Sequence, residues 1–252
     1  MFADESLLYI DNEILGGGVF NEWRVKRVRK LEYIFSQEWF RDKKVLELGC
    51  AFGNIGLYFK SLGAEVTFSD ARQEALDVVR RKDSSVELLL LNQEKHWSLN
   101  RKFDLILHFG LLYNLDNWER DLCCTIHHAK YVALETAVAR FSDKFECKIV
   151  NPCYPCYIWG PFSGVGTLVS SSNIENVFNK LQADYHRYDD RDLNLNDNWD
   201  EFCYDWSEED DPVARLIIAK FAREPEKPVV NDWFCPYLGG RRFWIIRNND
   251  AV

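Results

Sequence analysis

Residues 44–70, KVLELGCAFGNIGLYFKSLGAEVTFSD, constrain the fold of this chain more than any other stretch. The apolar run Val45-Leu46-Glu47-Leu48 is short enough for a buried strand. Gly49, Gly53 and Gly56 follow. Ile55, Leu57, Tyr58, Phe59 and Leu62 then recur at helical spacing as far as Gly63, placed as a helix-ending glycine. A second strand over residues 65–69 closes on Asp70. Strand, glycine turn, helix, strand, acid is half of a nucleotide-binding βαβ unit.

The turn has a readable chemistry. Gly49 can take positive φ, and Gly53 lets a ligand approach the backbone. A helix beginning near Asn54 directs its free N–H groups into the same space. A carboxylate at Asp70 can accept both hydroxyls of a ribose. The spacing is Glu47-x-Gly49-x-x-x-Gly53, not the G-x-G-x-x-G of a dinucleotide site. An acid two residues before the first glycine repels a pyrophosphate. It suits a cationic head such as the ammonium of an amino acid.

This pattern resembles motif I of the class I S-adenosylmethionine (SAM) methyltransferases, written acid-x-Gly-x-Gly-x-Gly or acid-x-Gly-x-x-x-Gly. Ala51 stands at the middle glycine. The resemblance runs from about residue 31 to residue 143 and returns near the C-terminus. It implies a three-layer α/β sandwich around a Rossmann-like, mainly parallel seven-stranded sheet. The last strand is antiparallel and lies between the fifth and sixth. It also implies SAM as cofactor, held by Glu47, Gly49, Cys50, Ala51 and Gly53, with the ribose at Asp70 and Ala71. Asn92, with Gln93 beside it, matches the position that binds the adenine amino group. His108 and Phe109 end the fourth strand, facing the methyl group.

Composition sets bounds. With 252 residues and 47% apolar content, the chain suffices for one α/β domain with insertions. A net charge of −9 disfavours nucleic acid as partner, short of a local basic patch. The 8 Cys do not read as a disulfide framework: Cys50 follows a strand, and Cys123 and Cys124 are neighbours on a helix. No secretory signal or membrane span is visible, so free thiols and a cytoplasmic setting are expected. Cys147, Cys153 and Cys156 contain a single C-x-x-C step, whereas structural zinc wants four ligands in paired spacing, so no metal is expected. Aromatics such as Tyr154, Tyr157, Trp159, Trp199, Tyr204, Trp206, Trp233 and Tyr237 fall in loops, where they would stack on sugars or bases.

Residues 1–252 are read as one domain. Residues 1–43 form a helical cap, in which Trp23, Val28, Leu31, Ile34, Phe35 and Trp39 mark one or two amphipathic helices. Arg24, Lys26, Arg27, Arg29 and Lys30 are placed on the opposite face, either solvated or as a lid over the cofactor or a local anionic-ligand site. Further helices are predicted over 72–81, 118–128, 170–181 and 213–223. Strands are predicted over 84–91, 103–110, 131–138, 185–188 and 241–247. Trp97 caps the adenine or sits on a surface helix. Insertions at 139–171 and 189–240 are expected over the acceptor site. Asn151-Pro152-Cys153-Tyr154 resembles the N-P-P-Y motif of amino-methylating DNA enzymes, but follows the fifth strand, not the fourth, and is read as a loop. Gly49, Asp70, Asn92, His108 and Glu135 all fall at carboxyl ends of strands, where open parallel sheets bind ligands.

The phrase HFGLLYNL at 108–115 is similar to the GLLYHL of many bacterial and viral methyltransferases of small acceptors. A related phrase occurs in enzymes that modify the tRNA wobble uridine. Asn114 replaces the usual His. A hydroxyl acceptor needs a base. His108 is the first candidate, because imidazole titrates near neutral pH. Glu135 is second, as a base or, with Asp189, Asp190 and Asp192, around a divalent ion. The expected function is methyl transfer from SAM to a small-molecule or carbohydrate acceptor, a sugar hydroxyl favoured. An RNA (tRNA base) methyltransferase and a non-catalytic SAM-fold binding protein are the alternatives.

Overall fold

The computed structural model describes residues 4–9, 18–139, 146–150, 161–190, 193 and 239–249. In chain order the elements are α1 (Gly18–Phe35), β1 (Lys44–Leu48), α2 (Asn54–Ser61), β2 (Glu65–Asp70), α3 (Gln73–Lys82), β3 (Glu87–Leu90) and β4 (Phe103–Phe109). They continue as α4 (Trp118–His128), β5 (Ala129–Ala139), β6 (Glu146–Val150), β7 (Val165–Val169), α5 (Ser171–Lys180), β8 (Asp184–Tyr188) and β9 (Gly239–Arg247).

β1 and β4 run parallel at the centre, with Val45 opposite Leu105 and Leu48 opposite His108. Their side chains are buried on both faces, as a sheet crossed by helices on each side requires. The sheet order is β3-β2-β1-β4-β5-β9-β8. β1 to β5 are parallel, and β9 is antiparallel to both β5 and β8. This is the expected Rossmann-like arrangement, with the last strand inserted between the fifth and the sixth.

Helical periodicity explains the layers. Val28 and Leu31 of α1, Tyr58 and Phe59 of α2, and Leu76 and Val79 of α3 cover one face, against Phe68, Leu105 and Leu107. Leu122 and Ile126 of α4 and Ile174 and Phe178 of α5 cover the other, against Leu46, Ile106 and Trp244. Gly63, at φ +95°, stops α2. The Ser170 side chain accepts the Asn173 N–H at the start of α5.

Three expectations change. Arg24 and Arg27 are buried, not solvated. They lie at i, i+3 with Val28 and Leu31 at i+4 and i+7, so they belong to the inward stripe of α1, while Arg29 stays outside. Trp97 is neither on a surface nor free to cover a ligand. It is buried in the α4 layer, where its Nε1 donates to Asp121 Oδ1 at 2.8 Å. Within the 139–171 insertion, β6 and β7 form a separate antiparallel two-stranded sheet. The N-P-C-Y segment, the helix expected at 213–223, and the loop aromatics from Tyr154 to Tyr237 lie outside the described residues.

Gly56 is the tightest helix–sheet contact. A Cβ there would stand 2.4 Å from Phe68 Cε1 and 2.5 Å from Glu47 Oε2. Gly56→Ala is expected to cost about 1–3 kcal/mol in urea unfolding, the usual range for overpacking. A variant as stable as the parent would mean that α2 does not rest on β1 and β2 in this way.

Candidate functional site

The turn after β1 takes positive φ at Gly49 (+59°), Ala51 (+48°) and Gly53 (+67°). Ala51 therefore fills the middle glycine position at a cost of about 1–2 kcal/mol, the strain of a left-handed non-glycine residue. Gly53 N donates to Cys50 O at 2.7 Å, and Cys50 N to Ser69 O at 2.9 Å. Asp70 closes the turn. Its Oδ2 accepts the Ala51 N–H at 3.0 Å, and its Oδ1 the Arg72 N–H at 2.9 Å, across the backbone of Ala71. The Ala71 N–H bonds the same carboxylate, so one of its four lone pairs stays open. Burial raises the Asp70 carboxyl above its ordinary value, and these N–H groups pull it back.

Glu47 turns under α2, where its Oε2 accepts the Gly56 N–H at 3.1 Å. Burial pushes its carboxyl up to about 8, against that bond and the charges of Lys82 and Arg24. Burial, with Glu47 and Asp70 nearby, also raises the Cys50 thiol well above its ordinary value, which makes it a poor nucleophile. The strap Glu5–Leu8 lies over the same helix end: Asn54 Nδ2 donates to Leu7 O at 2.5 Å and Arg24 Nε to Leu8 O at 2.8 Å.

Beyond β3, Asn92 Oδ1 accepts the Glu94 N–H at 2.9 Å. Gln93 is buried, and its Nε2 has no hydrogen-bond partner among the described residues. Glu94 accepts the Asp116 N–H at 2.8 Å and the Ser163 hydroxyl at 3.2 Å, tying the loops after β3 and β4 to the β6–β7 hairpin. Leu111 closes on the motif I turn, 3.0 Å from where a Gly49 Cβ would stand.

The structure does not bring His108 to the open strand ends. Alternation along β4 turns Leu107 and Phe109 toward α1 and His108 toward α4. The ring has zero exposure and its Nε2 lies 2.7 Å from Asp121 Oδ2. Its Nδ1 has no partner among the described residues. A general base must reach the acceptor proton, and this ring is sealed between β4 and α4. In this geometry it braces Asp121 and, through it, Trp97.

Glu135 also has zero side-chain exposure. Its Oε1 accepts from Arg27 Nη2 at 3.2 Å and Arg241 Nη1 at 2.8 Å, while Oε2 has no partner among the described residues. Burial alone would raise this carboxyl. Arg241 and Arg27 outweigh it and hold the group below the ordinary Glu range. The Arg27 guanidinium lies 5.0 Å from the Trp23 ring. That of Arg241 lies 5.6 Å from Trp23 and 5.4 Å from Tyr113. Trp23 meets Phe109 edge-on at 6.4 Å. Sequence reading missed Trp23, Tyr113 and Arg241 as site residues, and offered Arg27 only among five basic residues of a lid or anionic-ligand site. The inward helical position of Arg27 and the place of Tyr113 in the GLLYNL phrase were the available signals.

The other acids are also matched with bases: Asp189 with Arg187 at 3.0 Å, and Asp190 with Lys30. Among the described residues no three His, Cys, Asp or Glu side chains gather as a metal site. Asp192 lies outside them. Of the basic residues of α1 that could form a local patch for RNA, Arg24 and Arg27 are buried.

A family model described as a methyltransferase domain matches residues 20–187. The chain belongs to the class I SAM-dependent methyltransferases. It is an enzyme, and SAM is its cofactor, which removes the non-catalytic alternative. The methyltransferase is 29% identical over 114 residues to a histidine protein methyltransferase 1 homolog of Dictyostelium discoideum, covering 41% of this chain. The match spans 37% of that relative's length. The N-terminal domain of EvdMO1 with S-adenosylhomocysteine (SAH) bound shares the fold at TM-score 0.58 and 14% identity, over 89% of this chain and 81% of that one. The plantazolicin methyltransferase BpumL with SAH does so at 0.52 and 13%, over 90% and 85%. The N-methyltransferase NodS of Bradyrhizobium japonicum WM9 does so at 0.51 and 12%, over 90% and 87%. No helix among the described residues is long and apolar enough to cross a membrane.

Glu47 makes cofactor binding pH-dependent if the cationic head of SAM lies beside it. Its carboxyl, near 8 in the free methyltransferase, would be pulled down on binding, with release of a proton. SAM affinity is then expected to rise with pH up to about 8 and to level off above, and Glu47→Gln is expected to abolish that slope. Stability carries the opposite sign: a carboxyl raised by folding favours the folded state most below the ordinary Glu range, and that contribution is lost as pH rises through about 8. Calorimetric titrations from about pH 6 to about pH 9 check the binding slope. A flat profile for the parent would separate Glu47 from the cofactor's charge.

Proposed function

We propose that this methyltransferase moves the methyl group of SAM to a small polar acceptor, with a sugar hydroxyl favoured. The observation that carries the reading is the ring-lined polar cluster beside the motif I turn, in which Trp23, Phe109 and Tyr113 surround Arg241 and Glu135. Aromatic faces stack on the apolar side of a sugar ring, and a guanidinium held between them donates to its hydroxyls. The net charge of −9 argues against a polyanionic acceptor. The EvdMO1 domain also has a structure in the presence of SAH and D-fucose, at TM-score 0.60 and 14% identity.

The residues present fit the cofactor. Glu47, Gly49, Cys50, Ala51 and Gly53 would hold its amino-acid end. Asp70, beside Ala71, has one lone pair left for a ribose hydroxyl. Asn92 and Gln93 would meet the adenine, for which the buried Gln93 amide is a donor still without a partner among the described residues. When bound, SAM supplies an electrophilic methyl on a sulfonium, so the protein's part is to orient the acceptor, whose proton passes to water. Trp23 and Tyr113 would hold the acceptor ring, and Arg241 would donate to it. Glu135, itself out of reach, would fix that guanidinium through Oε1. His108 would act by positioning Asp121 and α4.

A second reading, a protein acceptor, rests on the similarity to the histidine protein methyltransferase homolog. Incubation with SAM and a panel of monosaccharides, histidine-containing peptides and tRNA, read by mass spectrometry, separates the readings. Methyl gain on sugars alone is expected, and gain on peptide with inert sugars would replace the first reading by the second. Asp70→Ala is expected to weaken SAM binding by about 1–3 kcal/mol, the cost of unmade hydrogen bonds to a charged group. Unchanged affinity would remove Asp70 from the ribose site.

A further inference from the structure

We propose that the Arg241 guanidinium is a carboxylate subsite, so that the acceptor is a hydroxylated monoanion, such as an acidic sugar. This rests on the small-acceptor reading above and narrows it.

Charge is the first argument. Among the described residues Arg27 and Arg241 share one carboxylate, which leaves the cluster with an excess positive charge. Arg27 is 1% exposed and Glu135 is 0% exposed, but Arg241 is 31% exposed. The uncompensated charge therefore meets the open side at Arg241. Geometry is the second argument. The guanidinium is held against the rings of Trp23 and Tyr113. It is tethered through Nη1 to Glu135 at 2.8 Å, with the Tyr113 hydroxyl 3.5 Å from Nη2. A planar fork fixed in this way is pre-organised for two parallel bonds to an oxyanion. The charge count also selects among anions. A carboxylate brings the cluster to neutrality, whereas a phosphate dianion would leave net negative charge beside the sealed Glu135.

Arg27 already closes Glu135 from the buried side, so a purely structural role for Arg241 is the competing account. The carboxylate of SAM itself is the other source of the same chemistry. Both are separable in the full chain saturated with SAH, by calorimetric titration of D-glucuronate, D-glucose and glycolate. Parent, Arg241→Gln and Arg241→Lys proteins are compared, with SAH affinity measured for each. D-glucuronate is expected to bind at least about tenfold more tightly than D-glucose, and Arg241→Gln to erase that difference while SAH affinity stays within about twofold. Arg241→Lys, which keeps the charge and loses the fork, is expected to fall between, and it serves if the Gln variant does not fold. Glycolate binding that depends on Arg241, with neither sugar bound, would keep the subsite and overturn the sugar reading. Equal binding of the two sugars would overturn the subsite and leave the sugar reading standing. Loss of SAH affinity in the variants would assign Arg241 to the cofactor, and no binding of any probe would overturn both.

Discussion

The carboxylate of Glu135, sealed between two guanidiniums, joins three parts of the chain that are remote in sequence. Arg27 comes from α1, Glu135 from β5 and Arg241 from β9, and the Arg27–Glu135 contact closes a separation of 108 residues. An unpaired ion at zero exposure costs several kcal/mol, so Glu135 and Arg27, both sealed, depend on each other. Together they fix the N-terminal helix over the ends of the central strands. They also hold Trp23 next to Phe109 and close to Gly110.

Three buried acids in one sheet reach three different states for physical reasons. Glu135 has two direct guanidinium partners and stays ionised below the ordinary range. Glu47 has one backbone N–H and only through-space help from Lys82 and Arg24, so desolvation wins and its carboxyl rises to about 8. Asp70 lies between, raised by burial and restrained by the backbone N–H groups it organises. Adjacent guanidinium charge decides the outcome, since burial pushes all three the same way and backbone N–H groups alone leave Asp70 raised.

The loops that frame the site are joined to each other more than to the sheet. Glu94 gathers the loop after β3, the start of α4 and the β6–β7 hairpin. Leu111 leans on Gly49. Beneath them, Asp121 holds His108 on one oxygen and Trp97 on the other. A polar brace of this kind sets the height of α4, and with it the turn that carries Tyr113.

The amino-acid sequence by itself determined the strand–turn–helix unit, because its signals are local. Positive-φ positions need glycine or a small residue, a 3.6-residue period marks α2, and a two-sided apolar run marks β1. It also placed Asp70 and Asn92 at strand ends, where an apolar run gives way to a polar residue, whereas β5 runs on past Glu135 to Ala139 and holds that acid within the strand. Only the tertiary structure decided which way side chains face. Arg24 and Arg27 read as solvated because charge usually is, yet their helical phase matches Val28 and Leu31. His108 read as a base because it ends a strand, yet the pleat turns it to the opposite face from Phe109. The Trp23–Tyr113–Arg241 cluster was invisible for one reason: its members meet only after β9 slots between β5 and β8, a long-range pairing that no local period encodes.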